Sequence, residues 1–405
     1  MASINDSYPV AIVGGGMAGA SLALALAKRG VACVVFEAFA LSEQSQPSFD
    51  DRTVALSKAS LNILANLDLL EDLARVSEAI KTIHVSEQGH IGFARLSAEE
   101  NAVKQLGAVV ENWQLGKVLH QAFAKQAELI DYVVPAKVLE LEQSQDSAEL
   151  TVEAHGKIVK VNAQLVVLAD GARSPLRKKL HIDSEKRDFE ASAVVCNLST
   201  QLPHRNQAFE RFTNDGPLAL LPLSRQRMAL VWSKPRHQAE QYVTMPEDQF
   251  AKDLEEAFGA RLGRITKVGK RQSFPLVQSR AETLVRGRCV LVGNAAQSLH
   301  PIAGQGFNLG LRDISVLSEL LAGAEDYGDF HVLNQYQELR QSDREQTLCV
   351  TESLARLFSN DWAPLSLTRN LLLKTMDIVP SAKSIFAQQA MGFGFKNSEL
   401  AANDE

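Results

Sequence analysis

The sequence predicts an α/β protein made of a Rossmann-type βαβ cofactor domain, an antiparallel β-sheet substrate domain and a closing set of C-terminal helices. Three observations predict it. Tyr8 to Val13 is a short apolar run that leads through Gly14-Gly15-Gly16 into a helical stretch from Ala18 to Arg29, then Gly30 and a second strand from Val31 to Glu37. Two later apolar runs, Leu165 to Ala169 and Arg288 to Val292, read as short buried strands, and each runs directly into a glycine-containing loop. Between them the texture changes. Ala191 to Leu198, Ala208 to Phe212, Leu218 to Leu221 and Met228 to Trp232 are short β-rich runs, and Asn214-Asp215-Gly216-Pro217 separates two of them as a hairpin turn does.

At 405 residues the chain exceeds the size that one hydrophobic core usually fills. The cofactor domain is therefore expected to be discontinuous, over residues 1–75, 101–180 and 270–345. A β-rich substrate domain over 76–100 and 181–269 interrupts it. An amphipathic helix is expected at Glu247 to Phe258, a helical region over 346–396, and a disordered polar, acidic tail over 397–405.

Composition excludes several classes. With 45% hydrophobic and 22% charged residues the chain is globular, and a net charge of -6 without a basic patch speaks against a nucleic-acid partner. Cys33, Cys196, Cys289 and Cys349 lie far apart with no Cys-x-x-Cys pair, which reads as buried reduced thiols in a cytoplasmic protein. Val10 to Ala27 carries no charge and is as long as a membrane-crossing helix. Asp6 precedes it, Lys28 and Arg29 follow it, and three glycines interrupt it, so neither a signal peptide nor a spanning helix is expected.

Gly14-Gly15-Gly16-Met17-Ala18-Gly19 fits G-x-G-x-x-G between a strand and a helix, the context in which that pattern has meaning. Gly14 permits the tight turn, Gly16 lets backbone approach a pyrophosphate, and Gly19 allows helix to pack closely on strand. Uncapped N–H groups at the helix start, around Ala18, attract the phosphates. Glu37 ends the second strand where a carboxylate accepts hydrogen bonds from ribose hydroxyls and repels a 2′-phosphate, which favours FAD or NAD at this site. A second stretch, Leu165 to Arg177, is a strand ending in Asp170-Gly171. A third runs from Gly293-Asn294 through His300-Pro301 to Gly304-Gln305-Gly306-Phe307-Asn308 and on to Asp313. A loop closing on Gly304 and Gly306 before a helix can aim N–H donors at an anionic ring edge such as a reduced isoalloxazine presents.

These three stretches, in this order, resemble the single-component flavoprotein aromatic hydroxylases with the para-hydroxybenzoate hydroxylase fold, over nearly the whole chain. Asp51-Arg52-Thr53, Phe209-Glu210-Arg211-Phe212, Gly216 to Pro222 and His300 to Asp313 resemble the ubiquinone-biosynthesis branch. The family commonly has Gly-Asp-Ala-Ala-His in the third motif, whereas Asn294 and Gln297 replace the acid and the imidazole here, a pair similar to the 6-methoxyphenol hydroxylases of that branch. The resemblance implies FAD as cofactor, NAD(P)H as electron donor and molecular oxygen as co-substrate. It implies FAD contacts at Arg52, Asn112, Asp170, Gly171 and the third motif, with Val138 on the adenine side. It further implies a polyprenylated phenol, 2-polyprenyl-6-methoxyphenol, as substrate, hydroxylated by way of a flavin C4a-hydroperoxide. A substrate with a bilayer-bound tail implies peripheral contact with the cytoplasmic membrane face or a quinone-biosynthesis complex; a homo-oligomer is also compatible.

His300 is the one titratable side chain nominated near the reacting face, with a structural role as the competing reading, and Pro301 is expected to shape the loop beside the flavin. Phe209, Phe212, Leu220, Leu221 and Trp232 are candidates for lining a substrate cavity, with ordinary core packing equally able to explain them. Two alternatives share the scaffold. A flavin-dependent halogenase would carry a Trp-x-Trp-x-Ile-Pro segment, absent among Trp113, Trp232 and Trp362. A non-catalytic prenyl-binding protein would lack the Gly304 loop.

Overall fold

The computed structural model describes residues 4–39, 52–90, 92–299, 304–358 and 380–393. Among the described residues the strands form sheets of eight, nine and three members. The eight-stranded sheet is organised by parallel pairing. Ser7–Val13 lies between Cys33–Phe36 and Lys157–Leu168; Ile130–Val133 flanks the former and Cys289–Leu291 the latter. Register places Val133, Phe36, Val13, Leu168 and Leu291 in one row, so the carboxyl ends of five strands share an edge. Runs such as Val10 to Val13 and Leu165 to Leu168 are buried on both faces, which is why they are continuously apolar rather than alternating.

Helix Met17–Lys28 packs against this sheet. It is mostly Ala and Leu, strong helix formers, and every residue from Gly19 to Ala27 is buried. It ends at Arg29-Gly30, where Gly30 takes the left-handed backbone, φ +78°, that closes helices at little cost for glycine. The uncharged stretch Val10 to Ala27 is thus a buried strand, turn and helix, and no described helix is long and apolar enough to cross a membrane.

The nine-stranded sheet runs Gln297–Ser298, Gln272–Ala281, Ser184–Thr200, Arg227–Pro235, Gly216–Leu223, Gln207–Thr213, Thr82–Glu87, Phe93–Ser97, with Ile265–Val268 as a ninth strand paired to the end of Ser184–Thr200. Its hairpin forms at the expected turn: Thr213 pairs with Gly216, leaving Asn214-Asp215 between the strands. Gln272–Ala281, in the stretch 270–345 that the sequence assigned to the cofactor domain, hydrogen-bonds in this sheet instead. Helix Glu247–Phe258 spans the expected residues and buries Phe250, Leu254, Ala257 and Phe258 along one stripe. That stripe packs on Phe209, Leu220 and Trp232, which places these three in the core between sheet and helix rather than in a substrate cavity. Period-two alternation decides it, because their neighbours along each strand point the other way.

Helices Gln305–Leu321, Phe330–Phe358 and Pro380–Met391 follow; the tail 397–405 lies outside the described residues. Cys33, Cys196 and Cys289 are buried, but Cys349 is exposed, unlike the expected buried thiol. A buried ionic network joins the first two of these helices. Asp313 accepts from Arg340 Nε at 2.7 Å, Asp343 accepts from Arg340 and from Arg312 Nε at 2.9 Å, and Arg312 also donates to Thr347. Arg340→Ala leaves Asp313 buried without its cation, and urea unfolding should register a loss of about 3–5 kcal/mol. A change under about 1 kcal/mol would mean that water or a local shift replaces the guanidinium.

Candidate active site

The shared carboxyl edge of the eight-stranded sheet opens into a cleft of about 1280 Å³, above the roughly 300–1,000 Å³ usual for a small-ligand pocket. The first glycine stretch forms its floor. Gly14 has φ +102°, and a side chain there would drive a Cβ to 2.7 Å from the Ala169 carbonyl oxygen. A Cβ on Gly19 would lie 1.9 Å from the Gly14 oxygen, so only glycine permits this approach of helix to turn. Gly16 precedes the helix without a side-chain cap, leaving its first-turn N–H groups to meet an anion. Gly14, Gly16 and Ala18 line the cleft, while Gly19 supports it from behind.

Glu37 follows Phe36 on the same edge and lines the cleft. Its carboxylate accepts from Gly15 N–H at 2.6 Å and from Phe39 N–H at 2.9 Å, which fixes it against the glycine turn. Behind this turn sit two residues that sequence reading missed, His120 and Tyr132. His120 Nε2 lies 3.1 Å from the Gly15 oxygen, which can only accept, so Nε2 carries the proton. Burial pushes the His120 pKa down to about 4, keeping the ring neutral beside Glu37. The pair comes from helix Asn112–Phe123 and strand Ile130–Val133, and no local motif announces it.

Arg52 and Asn112 line the cleft together, joined by a backbone hydrogen bond from Asn112 N to Arg52 O at 2.8 Å, and the Arg52 guanidinium stands 4.5 Å over the Phe274 ring. Val138 lines the end near Glu37 and Lys137. From the second stretch, Asp170 and Gly171 face the same space. Ser174 donates to Asp170 Oδ2 at 2.8 Å, whereas the buried Oδ1 has no partner within the protein. Burial pushes this carboxyl up to about 6, partly countered by the Ser174 hydrogen bond. Arg177, unassigned at the sequence level, ties the second stretch to the third: its guanidinium donates to Ala172 O at 3.1 Å and Ala295 O at 2.7 Å.

The third stretch divides. Gly293, Asn294, Gly306 and Phe307 line the cleft, whereas Gly304, Gln305 and Asn308 are not in its walls. Asn308 is buried with all four amide positions used: Oδ1 accepts from Ser57 N and Ser60 Oγ, and Nδ2 donates to Ala55 O and Gly304 O. It clamps the loop to strand Thr53–Ser57. Gly304 has φ +61°, and a Cβ there would meet Ala55, not the open cleft. Gln297 is buried and donates to Asp313 Oδ2 at 2.6 Å, coupling the loop to the ionic network. His300 and Pro301 lie outside the described residues.

Opposite Phe307, the nine-stranded sheet turns small apolar residues toward the cleft, among them Ala193, Val195, Ala229 and Val231. One end of the space therefore suits phosphates and sugars, and the other suits flat or greasy groups. The residues fit FAD by two tests. A buried Asp170 oxygen lacks a partner in the protein, and a Cβ built on Gly171 or Gly306 meets nothing within 4 Å. A flavin cleft that widens into an apolar chamber, on this fold, defines a flavin-dependent monooxygenase.

Comparison with known proteins narrows the class. The model of the FAD binding domain family matches residues 7–351. The ubiquinone hydroxylase UbiL of Rhodospirillum rubrum is 35% identical, over 95% of this chain and 89% of its own. The 3-demethoxyubiquinol 3-hydroxylase of Escherichia coli is 32% identical, over 96% and 99%. The crystal structure of p-nitrophenol 4-monooxygenase PnpA from Pseudomonas putida shares the fold, with TM-score 0.81 at 19% identity over 97% of this chain and 100% of that one. The chain belongs to the FAD-dependent hydroxylases of ubiquinone biosynthesis, on the para-hydroxybenzoate hydroxylase fold. The non-catalytic prenyl-binding reading falls with that assignment.

Two glycine variants separate loop architecture from cofactor contact. Gly306→Ala adds a methyl where nothing lies within 4 Å. The flavin-free protein should keep its stability to within about 0.5 kcal/mol while flavin content drops. Gly304→Val strains a left-handed position against Ala55 and should lower both thermal stability and the flavin-to-protein absorbance ratio. Full flavin content in Gly306→Ala would show that the ring does not approach this turn.

Proposed function

We propose that this enzyme hydroxylates the ring of 2-polyprenyl-6-methoxyphenol in ubiquinone biosynthesis, using NAD(P)H as electron donor and molecular oxygen as co-substrate. One observation carries the reading: the chamber walled by Val195, Val231 and Phe307 is continuous with the cleft floored by Gly14 and Gly16. Of Asn294 and Gln297, the pair that the sequence associates with 6-methoxyphenol hydroxylases, the first lines the cleft and the second donates to Asp313 of the ionic network.

In this reading Gly14, Gly16 and the helix start hold the pyrophosphate, Glu37 the adenosine ribose, and Val138 the adenine side. Arg52, Asn112, Asp170 and Gly171 line the middle of the cofactor, while Gly293, Asn294, Gly306 and Phe307 border the flavin ring. Bound FAD supplies the electron storage and oxygen activation that no side chain provides. The chain itself binds, orients and excludes water: the sheet wall offers an apolar surface for the substrate ring, and the Asn308 clamp fixes Gly304 and the helix start to strand Thr53–Ser57. His300 is assigned to the reacting face and Pro301 to the shape of its loop. A polyprenyl tail partitions into lipid, so the encounter is placed at the cytoplasmic membrane surface, through peripheral contact or a quinone-biosynthesis complex.

A second reading, hydroxylation at another ring position in the same pathway, is favoured by the name of the Escherichia coli relative, a 3-demethoxyubiquinol 3-hydroxylase. One experiment addresses both. FAD-loaded enzyme, NAD(P)H and labelled oxygen are supplied with a short-tailed 2-prenyl-6-methoxyphenol or the corresponding demethoxyquinol, and products are analysed by mass. The first substrate should gain one labelled oxygen atom. Conversion of the demethoxyquinol alone selects the second reading, and conversion of neither rejects both.

A further inference from the structure

The side of the nine-stranded sheet that carries Val195 and Val231 also carries the carboxyl group of Glu210, which neither the cofactor cleft nor the ionic network uses. Its neighbours along the strand point the opposite way. Phe209 packs edge-on against Phe258, 5.2 Å between ring centres, and Arg211 donates to Ala257 O at 2.9 Å and to Ser86 Oγ at 3.2 Å. Both belong to the helix-covered face, so alternation turns Glu210 toward the other face.

Cross-strand register shows what it meets there. Glu210 lies opposite Ala219 and Val85; Ala219 lies opposite Val231, and Val231 opposite Val195. Val195 and Val231 form the chamber wall. Glu210 therefore stands within a row of small apolar side chains, between Ala219 and Val85, two strand spacings, about 10 Å, from Val231. Ala219, which stands between them in the row, presents only a methyl group.

The next row on this face, with Ala208 and Ala229, is covered by Ala387 and Met391 of helix Pro380–Met391. Among the described residues, the charged groups that share this face are Glu87, two positions beyond Val85, and the Glu111–Arg227 ion pair, 3.0 Å. Lys270 borders the chamber from its exposed rim, and Arg52 stands over Phe274. The described part of helix Pro380–Met391 that packs here contributes no charge. Burial alone pushes the Glu210 carboxyl up to about 7.

We propose that Glu210 is the base that takes the phenolic proton of the substrate, a role that rests on the phenol reading above. The O–H bond of the phenol breaks and an O–H bond forms on the Glu210 carboxylate. The bonding pair stays on the phenolate oxygen, which enriches the ring carbons that receive oxygen, and the proton returns to that oxygen in the product. No electrons leave the ring in this step. An ordinary glutamate, near 4.3, is a poor match to a phenol near 10; a group near 7 closes about half of that gap.

The test uses FAD-loaded wild type, Glu210→Gln and Glu210→Asp with NAD(P)H and a short-tailed 2-prenyl-6-methoxyphenol, scoring hydroxylated product and hydrogen peroxide across pH. In wild type, hydroxylation should rise with pH through about 7, as the carboxylate form appears. Glu210→Gln should lose roughly 100-fold in hydroxylation, lose this acid limb, keep KM within a few-fold, and divert its NAD(P)H consumption to peroxide. Glu210→Asp should recover part of the product and of the limb.

Wild-type coupling and an unchanged pH profile in Glu210→Gln would overturn the assignment while leaving the substrate intact. Loss of FAD from both variants would overturn it in favour of a packing role. A wild type that hydroxylates no prenylated phenol sinks the phenol reading and this proposal with it.

Discussion

Parallel pairing of three strands is the constraint from which the site follows. Val13, Leu168 and Leu291 occupy one row of the sheet, so the chain must leave all three strands at the same edge. The three loops that follow begin at Gly14, at Ala169-Asp170 and at Val292-Gly293, and they meet because backbone hydrogen bonds leave them nowhere else to go. In open α/β sheets this carboxyl edge is where ligands bind. Residues nearly 280 positions apart thereby share one cleft.

Backbone register brings the loops near each other; buried polar side chains fix them. Arg177 reaches carbonyl oxygens of the second and third stretches, Asn308 spans the third stretch and strand Thr53–Ser57, and Gln297 reaches Asp313. Desolvating such groups is costly, which puts each under a demand to find partners, and Asn308 fills all four of its amide positions. That demand makes the loop geometry specific, since an apolar core could slide where a saturated amide cannot. The replacement of an imidazole by Gln297 fits this picture: the amide donates to Asp313 without adding a charge beside the Asp313–Arg340–Asp343 network.

Charge is handled differently at the two ends of the cleft. Around Glu37, backbone N–H groups and a neutral His120 surround a carboxylate. Toward the chamber, Asp170 and Glu210 have carboxyl groups whose charged forms burial disfavours. The first environment holds a permanent anion for sugar hydroxyls. The second keeps groups that can change protonation within reach of an apolar space.

Much of this was legible in the sequence where the determinant is local. Glycine spacing between an apolar strand and an apolar helix specifies a turn that only glycine can make, and the Asn214-Asp215 hairpin and the stripe of Glu247–Phe258 are likewise written in short windows. Which face of a strand looks into the cleft is not local. Phe209 and Trp232 are as apolar as any cavity wall, yet pairing order and the helices behind the sheet put them in the core and leave Val195, Val231 and Glu210 on the other side. Gly304 and Asn308 show the same limit: their residue types suggested cofactor contact, but their partners are the Ala55 strand. The sequence determined the elements and their turns, because dihedral preference and periodicity act over a few residues. Only the tertiary structure decided which side chains meet, because that depends on strand register and on competition among buried polar groups for partners far away in the chain.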